Sequence, residues 1–182
     1  ADIAAVDEAA VRIVRTLFAF EQAGKEDNYA PSMIACASHI ALARETAEKS
    51  ITLLKNDGLL PLKGRSVVLI GDLANTPNIG DHGSSMVRPP YVKTLCAAFK
   101  EEYPDVRITF VPSKKVNAYR ESIRNADAVV VVCGCRHSDE GEYIPQRLKD
   151  KGGDRRSLSL HKPDIAMIRE AAACNPRCAV VL

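Results

Sequence analysis

The chain has 182 residues, 46% of them apolar and 26% charged. That is the composition of a folded domain with a core of its own, and it excludes a disordered, fibrous or disulfide-stapled miniature protein. Twenty-five basic against 23 acidic residues leave a net charge of +2, which excludes the one-signed surface of a nucleic-acid or anionic-membrane binder, and no apolar run reaches the ~20 residues of a membrane span.

In chain order, the first predicted element is a helix over Asp7–Phe20. Ala10, Ile13, Leu17 and Phe20 recur at three and four residues, and Asp7 is its expected N-cap. Gln22–Ala30 is polar, contains Gly24 and reads as a linker. A longer helix is expected over Pro31–Lys55, with Pro31 in its first turn and Asn56-Asp57-Gly58 as its stop. The texture then changes. Ser66–Gly71, Arg107–Val111, Asp127–Cys133 and Cys178–Leu182 are short continuous apolar runs, the pattern of strands buried on both faces. Helical stretches lie between them at 91–102, 116–126 and 163–174. Strands alternating with helices predict an α/β fold: a mostly parallel, doubly wound sheet flanked by helices, preceded by a helical linker. The expected division is 1–30 as helix and linker and 31–182 as an α/β sandwich.

Two connections are abnormally long: Asp72–Pro90, 19 residues, and Gly134–Leu160, 27 residues. Strand-to-helix loops usually have ~2–6 residues, and much longer ones are commonly functional. Both leave the carboxyl ends of strands, where open α/β sheets bind ligands. The first carries Gly80-Asp81-His82-Gly83-Ser84-Ser85, small residues that admit close approach beside polar groups suited to hydroxyl recognition. The same residues suit a turn satisfied by its own side chains. The second carries Ser138-Asp139-Glu140-Gly141-Glu142-Tyr143. Three carboxylates in four positions raise at least one proton affinity if partly buried, which is how a carboxyl becomes a general acid at neutral pH. The plainer alternative is a solvated acidic loop. Asp154 beside Arg155 reads as a loop-fixing pair.

No glycine-rich phosphate loop follows the first strand and no Gly-x-Ser-x-Gly elbow is present, which argues against nucleotide binding and a serine-hydrolase triad. Cys133, Cys135 and His137 invite a metal reading, but the second ligand pair of a structural zinc site is missing. Neither metal nor cofactor is expected. His39 and His161 show no constellation. Five of the six cysteines sit in apolar or helical contexts, which favours a reducing, cytoplasmic compartment.

Ala43–Leu62, ending in Leu53-Leu54-Lys55-Asn56-Asp57-Gly58-Leu59-Leu60-Pro61-Leu62, resembles the entry to the second domain of glycoside hydrolase family 3, the β-glucosidase and β-xylosidase group. Gly80–Ser85 with Pro89-Pro90-Tyr91-Val92, then Gly153-Asp154-Arg155 with Leu158 and Leu160, then Asn175-Pro176, are similar to later blocks of that family in the same order. The resemblance implies a retaining exo-glycosidase in which a preceding (β/α)8-type barrel domain supplies a nucleophilic aspartate and the sandwich supplies an acid/base glutamate. Matching the family's Ser-Gly-Glu-Gly-Tyr-like motif from Ser138 selects Glu140, with Glu142 as the alternative because one extra residue precedes Tyr143. Asp81, His82, Ser84, Ser85 and Tyr143 become candidates for lining the site of a carbohydrate substrate, and Tyr91 or Tyr143 for stacking on it. The resemblance also implies a chain cut after the barrel and inside the sheet, and therefore inactive alone. A non-catalytic, flavodoxin-like ligand-binding module is the alternative.

Overall fold

The four apolar runs become four strands. The computed structural model describes residues 2–23, 30–80, 86–139 and 157–182. The strands are β1 (Ser66–Ile70), β2 (Arg107–Val111), β3 (Ala128–Val132) and β4 (Cys178–Val181). They form one parallel sheet in the order β2-β1-β3-β4. The helices are α1 (Ile3–Gln22), α2 (Ala37–Ser50), α3 (Leu95–Glu102), α4 (Arg120–Arg124) and α5 (Lys162–Cys174). By internal contacts the chain divides into two units, Ala1–Thr52 and Leu53–Leu182.

In the second unit, alternate residues of β1 and β3 feed two cores. Val68, Ile70, Val129 and Val131 pack with Ile123, Met167 and Ala171 from α4 and α5. Val67, Leu69, Ala128 and Val130 pack on the other face with Cys96 and Phe99 of α3. Burying both faces explains why these strands read as unbroken apolar runs and not as alternations. It also agrees with right-handed crossovers, since a step from β1 to β2 and steps in the opposite direction to β3 and β4 put the helices on opposite faces.

Two devices lock the sheet. At its amino end, one carboxylate oxygen of Asp127 accepts from the Arg65 N–H (2.8 Å), the Ser66 N–H (2.9 Å) and the Ser66 hydroxyl (2.9 Å). The Arg65 and Ser66 bonds hold this carboxyl below its ordinary range. Asp127 was expected inside the third strand, but its side chain serves the strand entry and the ladder starts at Ala128. At the carboxyl end, Gly71 adopts φ 111°, and a Cβ there would meet the Val132 carbonyl oxygen at 2.1 Å. Backbone cannot yield as a flexible side chain can. Gly71→Ala is therefore expected to lower unfolding free energy by about 2–4 kcal/mol in urea titrations; an unchanged midpoint would contradict this close approach.

The first unit differs from expectation at its ends. α1 begins at Ile3, capped by Asp2, whose carboxylate accepts from the Ala4 N–H at 3.1 Å. Ala4 and Ala5 are strong helix formers, so the helix runs upstream of Asp7. Its expected apolar face is present but unburied, with Ile13, Leu17 and Phe20 exposed. Pro31 opens only a 3₁₀ turn, Pro31–Met33. Ala35 at φ 51° breaks the chain before α2, which ends at Ser50, where Ile51 turns extended. No helix of the described residues is long and apolar enough to cross a membrane.

Candidate functional site

The strand order creates a switch point. From β1 the chain goes through α3 to β2 on one side, then crosses to β3 on the other. Neighbouring β1 and β3 thus send their following segments to opposite faces of the sheet, which opens a crevice at their carboxyl ends, the ligand-binding position of open α/β sheets. The two long loops foreseen from the sequence leave these two strands.

Their stems are held by specific bonds. The Asp72 N–H donates to the Ser113 hydroxyl (2.9 Å) and the Ser113 N–H to the Asp72 carboxylate (3.1 Å), joining the exits of β1 and β2. The Asn78 amide donates to the Cys135 carbonyl at 3.3 Å, tying the first loop to the second across the crevice. Thr94 caps α3 by accepting from the Ala97 N–H (3.2 Å), and its hydroxyl donates to Asn75 (3.3 Å). This cap, after Pro89-Pro90 enforce extended chain, starts α3 at Leu95 where the sequence pattern suggested Tyr91. On the second loop a 3₁₀ turn, His137–Asp139, is closed by the Asp139 carboxylate accepting from the Arg136 N–H (2.8 Å). The other oxygen of Asp139 lies 3.1 Å from His161 Nε2, on the far stem at the N-cap of α5.

Asp81, His82, Ser84 and Ser85 lie outside the described residues, and so do Glu140, Glu142, Tyr143, Asp154 and Arg155. Their described neighbours, Gly80 and Met86, Asp139 and Ser157, sit on the stems of the two loops. Tyr91 is on the first loop's far stem, 59% exposed.

The Cys-x-Cys-x-His run does not act as one group. Cys133 is buried in the α4/α5 core, and burial, with the Asp164 charge, pushes its thiol up to about 11. Gly134, at φ 147°, then ends the strand's alternation, and Cys135 leaves the core. The donor atoms that do converge belong to Cys135, Asp139 and His161, no two more than 4.8 Å apart. His161, read from sequence as an ordinary residue, is the surprise. It stands 22 positions after Asp139, so no local spacing could pair them. Two clefts, of about 300 and 340 Å³, lie instead along the amino-terminal side of β1, one beside Arg107 and Glu121, the other beside Pro61 and Phe99. Neither is lined by a described residue of the two long loops, and the crevice is identified by the strand order.

The family model described as "Glycosyl hydrolase family 3 C-terminal domain" matches residues 51–182. The parallel α/β sheet agrees with such a domain, and by this match the chain belongs to glycosyl hydrolase family 3 through its C-terminal domain. Among curated relatives, a β-xylosidase of Formosa agariphila is 34% identical over 68% of the chain and 18% of its own length. An exo-α-(1→6)-L-arabinopyranosidase of Bifidobacterium longum is 26% identical over 80% and 20%. The chain thus spans about a fifth of the length of these relatives. Among solved structures, a β-D-glucoside glucohydrolase of Trichoderma reesei is 25% identical with TM-score 0.65, over 79% of the chain and 23% of its own. The Bifidobacterium adolescentis family 3 β-glucosidase, 24% identical with TM-score 0.65 over 87% and 23%, shares the fold.

Proposed function

We propose that this chain is the second-domain part of a retaining, exo-acting β-glycosidase that removes terminal glucose- or xylose-like residues. The observation that carries the reading is the pair of long loops on β1 and β3, bridged by Asn78 and Cys135 at the switch point. It supports the reading because the described segments that lead to Gly80–Ser85 and to Ser138–Tyr143 leave neighbouring strands and are bonded to each other. The relatives' glycosidase names agree with it.

In this reading Glu140, with Glu142 as the alternative, is the acid/base. It protonates the leaving oxygen as the glycosidic bond breaks, and then takes a proton from the water that releases the sugar. The nucleophilic aspartate comes from a preceding barrel domain, about 5–5.5 Å from the acid/base across the anomeric carbon. Asp81, His82, Ser84, Ser85 and Tyr143 line the sugar, with Asp154 and Arg155 fixing the loop. No cofactor takes part in these steps.

The division of carboxylates predicts that the 182-residue chain alone gives no turnover of 4-nitrophenyl β-glucoside or β-xyloside, while the longer protein containing the barrel does. Turnover by the isolated chain above buffer would refute the division. Failure of the longer protein on both glycosides would refute the sugar class.

A further inference from the structure

We propose that Cys135, Asp139 and His161 form a binding site for a borderline-soft divalent cation, zinc being the best match. Their ligand atoms lie within 4.8 Å of one another, and the Asp139–His161 pair is already at 3.1 Å. Tetrahedral zinc with bonds of about 2.0–2.3 Å holds its ligand atoms about 3.3–3.8 Å apart. The Asp–His pair is therefore at ligating distance, and the thiol comes within reach by a small side-chain adjustment. One sulfur, one oxygen and one nitrogen donor are the mixture zinc accepts and magnesium or calcium does not.

The protein surroundings are partly built. Asp139 presents one oxygen to His161 while the other accepts from the Arg136 N–H at 2.8 Å, which fixes the carboxylate plane. The Cys135 backbone is held by the Asn78 amide on its carbonyl. Cys135 and Asp139 are half-buried and His161 is about half-exposed, so an ion can reach the three donors from solvent. On binding, the thiol proton and the proton that Nε2 of His161 shares with Asp139 leave to solvent, the imidazole keeps its N–H on Nδ1, and the metal takes the place of that hydrogen bond with new bonds to the sulfur, the Nε2 lone pair and the carboxylate oxygen. No redox step is involved. The ion would join the two stems of the second loop, Asp139 on one and His161 on the other. The inference does not depend on the glycosidase reading.

The test titrates the full chain with zinc against a competing chromophoric chelator and records cobalt(II) spectra. One equivalent should bind with Kd of about 1 µM or tighter, and the cobalt adduct should show a sulfur-to-metal charge-transfer band. Cys135→Ser should abolish that band. Asp139→Asn and His161→Ala should each weaken binding at least tenfold, and Cys36→Ser should change nothing. Circular dichroism without metal checks folding, and Asp139→Asn and His161→Ala carry the test should Cys135→Ser fail to fold. No stoichiometric binding at about 100 µM zinc, or binding that Asp139→Asn and His161→Ala leave within threefold of wild type, overturns the site.

Discussion

Glu140→Ala in the longer, barrel-containing protein is expected to cut kcat/KM for β-linked disaccharides and alkyl glycosides by about 10²–10⁴-fold, the usual worth of general acid–base catalysis. The loss should depend on the leaving group. An alkoxide departs only if protonated as the bond breaks, whereas an activated phenolate leaves unaided, so activated aryl glycosides should lose far less in the first step. The covalent sugar intermediate would then accumulate, because water needs a base to attack it. Azide needs none. Millimolar azide should restore turnover of the activated substrate and yield the glycosyl azide, with no effect on the wild type. If Glu142→Ala shows this pattern and Glu140→Ala does not, the acid/base role moves two residues along the same loop. If neither does, this loop supplies no acid.

The centre of the sheet was legible because β1 and β3 are buried on both sides. Val67 to Ile70 and Ala128 to Val131 had to be apolar at every position, and a continuous run of that length is hard to hide. The two long loops were visible before any strand order was known, but that they leave neighbouring strands at a switch point is given only by the sheet order. Helix ends were less legible, because capping is local chemistry that competes between neighbours. Asp2 won over Asp7, and Thr94, held by Asn75, moved the start of α3 past Tyr91. The segment after β2 begins earlier than its apolar period suggested, as a 3₁₀ run Ser113–Tyr119, because Ser113 is bonded to Asp72 across the sheet edge. The Asp139–His161 pair was invisible for a different reason. Its members belong to opposite stems of one long loop, and only the return of the chain to α5 brings them together.

Asn175 is where the second large effect is expected, and it concerns how α5 is held. The residue is the C-cap of α5 and only 4% exposed. Its amide donates to the Ile123 and Ala126 carbonyls, both at 2.9 Å, while its side-chain oxygen accepts from the Arg177 N–H at 2.9 Å. One side chain thus joins the end of α4, the end of α5 and the entry to β4. Asn175→Ala should cost about 3 kcal/mol or more, because buried carbonyls lose their donor and the Arg177 N–H its acceptor, a large share of the 5–15 kcal/mol typical of a domain. Asn175→Asp separates hydrogen bonding from size. At pH 7 a carboxylate keeps the Arg177 bond but turns negative charge on two carbonyls, so it should destabilise at least as much as alanine. Burial and those carbonyls raise its folded-state pKa above the unfolded value. The aspartate variant therefore binds more protons folded than unfolded, and its deficit relative to wild type should shrink as pH falls from about 7 to about 5. A deficit independent of pH would mean that the amide donors are not what Asn175 contributes. Because His161 is the N-cap of α5, loosening the helix's far end should also disturb the Asp139–His161 pair and with it the stem of the loop that carries Glu140.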